Sequence, residues 1–205
     1  MRDLTYYIAT SLDGKIAAPD GDWSAFPIEG DHMEVVLNEF TDALPGHVQS
    51  AVGLQSDNSR FGTVIMGWNT YTPALDVGIG SPYPHLQQFV ASRHHHVDHA
   101  DVTVTTDPLA TVRGLRGLDG SGIWLAGGGA LAGALIDEID HLVLKINPVV
   151  LGDGVPLFGG ACYGARPFVR SRLREFSSGV IIAEYRRSPV MSPDAPSPAR
   201  PTTGG

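Results

Sequence analysis

The feature that most limits the fold is a short apolar run that meets three glycines and continues into an amphipathic helix, Ile123 to Leu142, IWLAGGGALAGALIDEIDHL. An apolar run of strand length, a glycine turn and a helical pattern together are typical of a strand-to-helix unit. Similar units recur along the chain. The pattern therefore favours an α/β sheet that is covered by helices on both faces.

Hydrophobic periodicity and turn residues predict the order of the elements. The predicted strands are Leu4 to Thr10, Thr63 to Met66, Leu86 to Ala91, Val102 to Thr105, Ile123 to Ala126 and Leu142 to Ile146. The predicted helices are Asp31 to Leu44, a weaker one at His47 to Gln55, a short one after Gly67, one that starts at Asp107-Pro108, and Ala130 to Ile136, and residues 17–30 form a long loop.

Two further predicted strands, Phe168 to Phe176 and Val180 to Arg186, have no helix between them and read as a closing antiparallel pair. The expected fold is thus α/β, with three α/β/α layers and a mixed, mostly parallel central sheet that has antiparallel C-terminal strands. The length of 205 residues suits one domain, which we expect at residues 1–187. Residues 188–205 contain five prolines and predict a disordered tail.

Charge and cysteine content narrow the function classes. The formal net charge of −8 argues against general binding to nucleic acid or anionic membranes, because neither would gain from surface attraction. The single cysteine, Cys162, permits no internal disulfide and indicates a reducing compartment. No apolar run suggests a membrane span, and the first residues read as a strand and turn rather than a signal peptide. We therefore expect a cytoplasmic protein that acts on a small molecule.

The glycine run has three interpretations. Residues 127–132, GGGALA, fit a variant of the G-x-G-x-x-G dinucleotide fingerprint, but the run lies late in the chain and no acidic residue follows at the position that would hold a ribose. A P-loop is excluded because no Gly-Lys-Ser/Thr follows. A glycine turn before a helix can still bind phosphate through free N–H groups and the helix dipole. Alternatively, the glycines only allow tight helix–sheet packing.

Five motifs in a fixed order then suggest a family. They are YIATSLDGKIA, TVIMGWNTY, VASR, LAGGGALAGALIDEI and LVLKINPVVLGDGVPLF, which together span roughly residues 4 to 186. In this order and spacing they resemble the dihydrofolate reductase-like superfamily, most closely the branch related to the reductase domain of riboflavin biosynthesis. The resemblance implies NADPH as hydride donor and a homodimer.

The resemblance also implies which residues bind the cofactor. The pyrophosphate would lie between two helix N-termini, the nicotinamide would pack near the first strand and the following turn, and the adenosine 2′-phosphate would lie at the end of the third strand. The resemblance implies that the pyrophosphate binds to Gly67, Trp68, Asn69 and Thr70 and to Ala126, Gly127, Gly128, Gly129, Ala130 and Leu131. It implies Ala9 and Ile16 for the nicotinamide, and Ser92 and Arg93 for the 2′-phosphate.

This sequence departs from its relatives at several of the matching positions. Dihydrofolate reductases commonly have arginine after the glycine of the second strand, where this chain has Trp68, so Arg93 becomes the main candidate for the 2′-phosphate. Riboflavin-pathway reductases usually have glutamate before the paired glycines, where this chain has Ala126. These departures leave the substrate unspecified.

Candidate substrate and catalytic residues lie in the long loop, the first helix and a later strand. Asp31 matches the position of the folate enzymes' acid, or else it is the N-cap of a capping box with Glu34. Lys145 interrupts an apolar strand and either faces the cleft or snorkels to solvent. Trp23 and Glu29 are further candidates for the substrate side.

Four histidines lie close together in the sequence after the third predicted strand. The histidines at 94, 95, 96 and 99 form a loop cluster that we interpret as solvated rather than as a metal site, because adjacent side chains point different ways.

The leading hypothesis is an NADPH-dependent reductase of a small heterocyclic, pterin- or pyrimidine-like, or carbonyl substrate. The alternative is a non-catalytic nucleotide-binding relative of the same fold.

Overall fold

A computed structural model describes residues 1–188 of the chain. The predicted tail, except for Ser188, lies outside the described residues. The Ser188 backbone N–H donates to the Pro167 carbonyl at 2.9 Å. Within residues 1–188, no helix is both long and apolar enough to cross a bilayer.

The elements follow the predicted order. The strands are β1 (Leu4–Thr10), β2 (Lys15–Ala17), β3 (Phe61–Gly67), β4 (Gln87–Ala91), β5 (Val102–Thr105), β6 (Gly122–Gly127), β7 (His141–Ile146), β8 (Val155–Pro156), β9 (Phe168–Glu175) and β10 (Ile181–Arg187). The helices are α1 (His32–Glu39), α2 (Gly46–Val52), α3 (Trp68–Asp76), α4 (Pro108–Arg116) and α5 (Gly129–Ala134).

The main sheet has eight strands in the order β5-β4-β3-β6-β1-β7-β10-β9. The strands from β5 to β7 run parallel. β10 pairs antiparallel with β7, and β9 pairs antiparallel with β10 at the edge of the sheet. This topology confirms the predicted mixed, mostly parallel sheet. Strand order places β3 and β6 side by side in the middle, so the helices that follow them begin next to each other.

The core lies on both faces of this sheet. One face carries Tyr6 and Leu125, packed against Val112 of α4, Leu131 of α5 and Leu135, which directly follows α5. The other face has two clusters. In one, Met66 and Trp124 pack with Tyr71 of α3. In the other, Val143 and Ile182 pack with Val36 of α1 and with Phe40, which directly follows α1. The helices thus form the two outer layers.

The first helix is shorter than predicted. The predicted range was Asp31 to Leu44, but α1 ends at Glu39 and a single 3-10 turn follows at Thr41–Ala43. Asp42 explains the break, because its buried carboxylate accepts hydrogen bonds from Ser56 Oγ and from the N–H groups of Arg60 and Phe61 at the start of β3. A continued helix would point this carboxylate elsewhere.

A second, two-stranded sheet was not predicted. Residues Lys15–Ala17 of β2 pair antiparallel with Val155–Pro156 of β8. Strands of two or three residues are too short to show an alternating pattern. The pair brings the turn after β1 against the long segment after β7, next to the carboxyl ends of the central strands.

Candidate nucleotide and substrate site

Two helix starts meet at the carboxyl edge of the central strands. Helix α3 begins directly after β3, and α5 begins two residues after β6. The first N–H groups of a helix have no partner within it and lie at the positive end of its dipole. In open α/β sheets ligands bind at this edge. The two N-termini therefore form a site suited to an anion.

The glycine turn lies against the start of α3. A Cβ added at Gly127 would lie 3.4 Å from Thr70 Oγ1, and one added at Gly67 would lie 3.5 Å from Gly128 N. Gly127 has φ of 131°, which side chains rarely adopt, and the Gly127–Gly128 peptide is cis. We call Gly67, Thr70, Gly127 and Gly128 the glycine corner. Gly127 is buried and the other three are half-buried, and the absence of side chains at the three glycines lets the two helix starts lie close together.

Other glycines of the same run have a packing task. A Cβ at Gly129 would lie 1.9 Å from the Pro156 carbonyl oxygen, and one at Gly133 would lie 2.0 Å from the Gly159 carbonyl oxygen. The Gly159 N–H also donates to the Gly129 carbonyl at 2.8 Å. The packing interpretation therefore holds for Gly129 and Gly133, while Gly127 and Gly128 remain for the corner.

The remaining predicted pyrophosphate residues differ in exposure. Ala126 and Leu131 are buried in opposite core clusters, so only their backbone could contact a ligand. Asn69 and Ala130 are exposed at the starts of their helices. The structure thus brings the predicted glycines and the first turns of α3 and α5 together. The side chains of Ala126 and Leu131 do not reach this place, because they are buried in the core.

The predicted 2′-phosphate residues lie beside the start of α3. The Trp68 ring stacks on the His95 ring with centroids 4.0 Å apart and planes 7° apart. Ser92 Oγ accepts from the backbone N–H groups of His94 and His95 at 3.3 and 3.0 Å, which fixes the loop after β4. Arg93 is exposed in this loop and has no hydrogen bond or ion pair with another residue of the range 1–188. Its guanidinium is therefore available to a ligand.

The histidine loop offers no built metal centre. Among residues 1–188, no group of three or more His, Cys, Asp or Glu side chains could hold a metal ion. His95 instead uses its ring face for Trp68, and His99 lies 3.9 Å from Asp101. The loop contributes aromatic and hydrogen-bonding surface next to Arg93.

Asp13 does more than form the predicted turn, because its carboxylate also bonds to a distant segment of the chain. Its carboxylate accepts from Ser11 Oγ at 2.6 Å and from the N–H groups of Leu151 and Gly152 at 3.1 and 2.8 Å. The Ser11 hydroxyl and these backbone groups lower its pKa to about 2. Asp13 thereby joins the β1–β2 turn to the segment after β7, and this holds Ala9 and Ile16 at the edge of the candidate site.

Lys145 lies in β7, where it pairs in register with Ala9 of β1. Its side chain is only 9% exposed, and Nζ donates to the Pro27 carbonyl oxygen at 3.0 Å. Burial lowers the pKa of this ammonium group. The interpretation that Lys145 snorkels to solvent is therefore wrong. Paired residues on neighbouring strands share a face of the sheet, so Lys145 and Ala9 lie side by side on one face.

Asp31 occupies the N-cap position of α1, but its side chain neither caps the helix nor is poised as an acid. It makes no capping hydrogen bond to α1, so the capping-box interpretation is wrong. Its carboxylate accepts from the N–H and hydroxyl of Ser177 at 2.7 and 2.9 Å and from the N–H of Ser178 at 3.2 Å. These bonds, from the Ser177 backbone first, hold its pKa well below the usual range. A carboxyl that stays ionised is a poor proton donor, and the geometry does not support the predicted catalytic role.

His32 is the residue of this region that the sequence did not reveal. It is fully buried at the start of α1, and Nδ1 lies 3.1 Å from Ser178 Oγ. Its partner is 146 residues away, and no local pattern signals such a contact. Trp23 is 56% exposed and Glu29 is also exposed, so neither predicted substrate residue is part of this buried group.

A cavity of about 390 Å³ lies elsewhere, at the amino ends of the parallel strands. Arg2, Asp3, Arg60, His141 and Arg186 are among its lining residues. Arg60 forms an ion pair with Glu184 at 3.0 Å, His141 Nε2 lies 3.1 Å from Asp3 Oδ2, and Arg2 donates to the Ser121 carbonyl and to Thr63 Oγ1. The cavity is remote from the glycine corner and does not bear on the candidate site.

The family model described as the RibD C-terminal domain matches residues 2–181. The chain belongs to this family. Its curated relatives include two uncharacterized Bacillus subtilis proteins: YwjB, 32% identical over 164 residues that cover 77% of this chain and 83% of the relative, and YyaP, 32% identical over 105 residues that cover 48% and 54%.

Solved structures agree on the fold of this RibD C-terminal domain. A putative riboflavin biosynthesis protein from Shewanella is 24% identical, with a TM-score of 0.66 over 92% of this chain and 100% of that one. A deaminase/reductase from Thermotoga maritima, named for diaminohydroxyphosphoribosylaminopyrimidine and 5-amino-6-(5-phosphoribosylamino)uracil, is 17% identical, with a TM-score of 0.61 over 91% of this chain. This chain spans 57% of that protein's length. The predicted dihydrofolate reductase-like, riboflavin-branch fold is confirmed.

Proposed function

We propose that this RibD C-terminal domain is an NADPH-dependent reductase that transfers a hydride to a small heterocyclic, pterin- or pyrimidine-like, or carbonyl substrate. The observation that carries the proposal is the glycine corner at the start of α3, together with the loop of the unpaired Arg93, whose His95 ring stacks on Trp68 of α3. Helix N-termini and close backbone suit a pyrophosphate, and a free guanidinium suits a 2′-phosphate. NADPH, when bound, would supply the hydride.

The chain's own residues have separate tasks in this proposal. Gly127, Gly128 and Thr70 hold the pyrophosphate, and Ser92 and Arg93 hold the 2′-phosphate. Asp13 fixes the two segments that border the nicotinamide position at Ala9 and Ile16. Lys145, next to Ala9, orients the acceptor and holds a proton for it. We further propose that the protein acts in the cytoplasm as a homodimer, without nucleic-acid or membrane partners.

A turnover screen tests this function. Wild-type protein with NADPH is offered pterin-like, pyrimidine-like and small carbonyl compounds, and loss of reduced nicotinamide is followed by absorbance. We expect at least one compound to be reduced with one NADPH consumed per product. Lys145→Met should then lower kcat by roughly 10²–10⁴-fold, the usual contribution of a positioned acid. Tight NADPH binding without any turnover would instead favour the non-catalytic alternative.

A further inference from the structure

Arg2 is a buried positive charge that forms no ion pair within residues 1–188. It is only 7% exposed. Its Nε donates to the Ser121 carbonyl oxygen and its Nη2 donates to Thr63 Oγ1, each at 2.6 Å, and both acceptors are neutral. A buried charge is costly unless an opposite charge or a full set of hydrogen bonds replaces its hydration. The domain itself gives Arg2 only part of that replacement.

Two glycines let the Arg2 guanidinium pack closely against the backbone. A Cβ added at Gly120 would lie 3.5 Å from Arg2 Cζ, and one added at Gly62 would lie 3.6 Å from Arg2 Nη2. A guanidinium has five N–H donors in a fixed planar fork. The bonds to Ser121 and Thr63 use Nε and Nη2, so both donors of Nη1 are left without an acceptor in the described part of the chain. Arg2 is thus held in place and still has donors to offer.

Arg2 lines the cavity of about 390 Å³ at the amino ends of the parallel strands. Backbone bonds place it there, because the Asp3 carbonyl accepts from the Ile123 N–H and the Arg60 carbonyl accepts from the Gly122 N–H, where β1, β3 and β6 begin. A water molecule takes up roughly 30 Å³ of liquid, so the cavity holds more than one inorganic ion, and its volume lies in the range of small-molecule sites. We call it the amino-end cavity. The glycine corner lies at the other ends of the same strands.

A second arginine without an acidic partner lines the amino-end cavity. Arg186 pairs in register with His141 of β7, and both residues line the cavity. The Arg186 side chain is exposed and has no hydrogen bond or ion pair with any other residue of the range 1–188. We call Arg2 and Arg186 the two unpaired arginines.

The acidic residues that line the amino-end cavity are engaged elsewhere. The Glu184 carboxylate forms ion pairs with Arg60 at 3.0 Å and with Arg174 at 2.9 Å. The Asp3 carboxylate lies 3.1 Å from His141 Nε2. Neither carboxylate forms an ion pair with the two unpaired arginines. The cavity therefore carries surplus positive charge, although the formal net charge of the chain is −8, and a local surplus of this kind attracts an anion.

We propose that the amino-end cavity binds a small organic molecule through one carboxylate or phosphate group, to which Arg2 donates, while Arg186 adds positive charge at the wall of the same cavity. Guanidinium donors match the oxygens of both groups, and hydrogen bonds between ions are stronger than those between neutral groups. The site is separate from the candidate nucleotide site and does not depend on the proposed reductase function.

Backbone-amide NMR of the full chain tests the site with inorganic phosphate and malonate as separate probes, at an ionic strength held constant with sodium chloride. We expect the signals of Gly120 and Gly122, which line the cavity, to shift and saturate at millimolar concentration of at least one probe. Saturation by phosphate, by malonate or by both identifies the oxyanion that the site accepts. The Gly128 signal reports the glycine corner separately. A shift at Gly128 alone, or no saturable shift with either probe, overturns the proposal.

Charge-removing variants give the second test with the same probe. Arg2→Gln should weaken binding by roughly 10- to 100-fold, because a charge-assisted hydrogen bond is lost. Arg186→Gln should weaken it by a smaller factor, and because this side chain is exposed, the variant decides the question if Arg2→Gln does not fold. Arg113→Gln removes an exposed arginine of α4 outside the cavity and is the matched control. Unchanged affinity in folded Arg2→Gln, unchanged affinity in Arg186→Gln when Arg2→Gln is unfolded, or equal weakening in Arg113→Gln overturns the site.

Discussion

At the scale of single residues, Asp31 matches the position of the folate enzymes' acid, but here its carboxylate holds two segments of the chain together. Its carboxylate binds the turn between β9 and β10 through Ser177 and Ser178, so it fastens the start of α1 to the far end of the chain. The neighbouring His32 contacts the same turn through Ser178. The position that matches the acid of the folate enzymes is thus used for attachment, and the proposed function assigns the proton chemistry to Lys145.

Asp31→Asn should change the pH dependence of stability. A carboxyl whose pKa is lowered by folding contributes stability that is present above its unfolded value of 3.8 and is lost as the pH falls toward the lower folded value. The variant should therefore be less stable at neutral pH and should lose less stability than the wild type below about pH 4. Urea unfolding midpoints at several pH values measure this. Asp98→Asn, in the exposed loop after β4, is the control.

The same variant also separates structure from catalysis. We expect Asp31→Asn to retain most of its turnover under conditions where it is folded. The Asp31 carboxylate bonds to Ser177, whereas Lys145 Nζ bonds to the Pro27 carbonyl. If turnover vanishes while folding and NADPH binding persist, Asp31 is the proton donor after all, and the role given to Lys145 is wrong.

Arg93→Ala should select between the two dinucleotides. NADPH and NADH share the pyrophosphate contacts and differ only in the 2′-phosphate. A charge-assisted pair of this kind is worth roughly 1.5–3 kcal/mol, or about 10- to 100-fold in affinity. NADPH binding should weaken by that factor, NADH binding should not, and added salt should reduce the difference. Arg170→Ala, on the opposite edge of the sheet, should have no effect. Equal weakening of both dinucleotides would remove Arg93 from the site.

At the scale of elements, α5 shows why glycine runs are ambiguous in a sequence. Gly127 and Gly128 form the corner, whereas Gly129 and Gly133 let the segment Pro156–Gly159 lie directly on the helix. The sequence pattern is the same for both tasks. Only the partner segment, far along the chain, distinguishes them.

Gly129→Ala should destabilise the domain, whereas Gly114→Ala in α4 should not. The first Cβ would lie 1.9 Å from a backbone oxygen, while the second has nothing within 4 Å. Overpacking of this kind costs about 1–3 kcal/mol or more, but alanine in an open helix position gains about 0.4–1 kcal/mol. Denaturant unfolding of both variants measures the contrast. Equal stability of the two would mean that the segment moves freely away from α5.

The order of elements was predictable because periodicity and turn residues are local signals. The N-cap of α4 is an example, since Asp107 accepts from the Ala110 N–H and Pro108 follows it, as the sequence predicts. The end of α1, the β2–β8 pair and the groups around Lys145 were not predictable. They depend on contacts such as Lys145 with Pro27 and Asp31 with Ser177, which join residues 118 and 146 positions apart.

At the scale of the whole molecule, sheet order decides where the site lies. β6 lies between β3 and β1 in the sheet, and β7 follows β1. The starts of α3 and α5, Ala9 and Lys145 therefore all lie toward the carboxyl edge of these strands. The antiparallel pair β9 and β10 closes the sheet and supplies the turn that holds α1. The site is thus assembled from both ends of the chain.

Removal of residues 189–205 should leave this assembly intact. The composition of that segment, rich in proline and poor in apolar periodicity, gives it little to contribute to a core. The thermal unfolding midpoint and NADPH affinity of the truncated chain should match those of the full chain. A drop of many degrees would show that the segment packs on the domain or on a second copy.

The most direct test of the central claim is the affinity of the wild-type protein for NADPH and NADH, measured by fluorescence titration or equilibrium dialysis at one fixed salt concentration. The glycine corner and Arg93 predict that NADPH binds, and that it binds about 10- to 100-fold more tightly than NADH. Equal affinities would contradict the assignment of the 2′-phosphate site. Failure of both dinucleotides to bind at millimolar concentration would contradict the account as a whole.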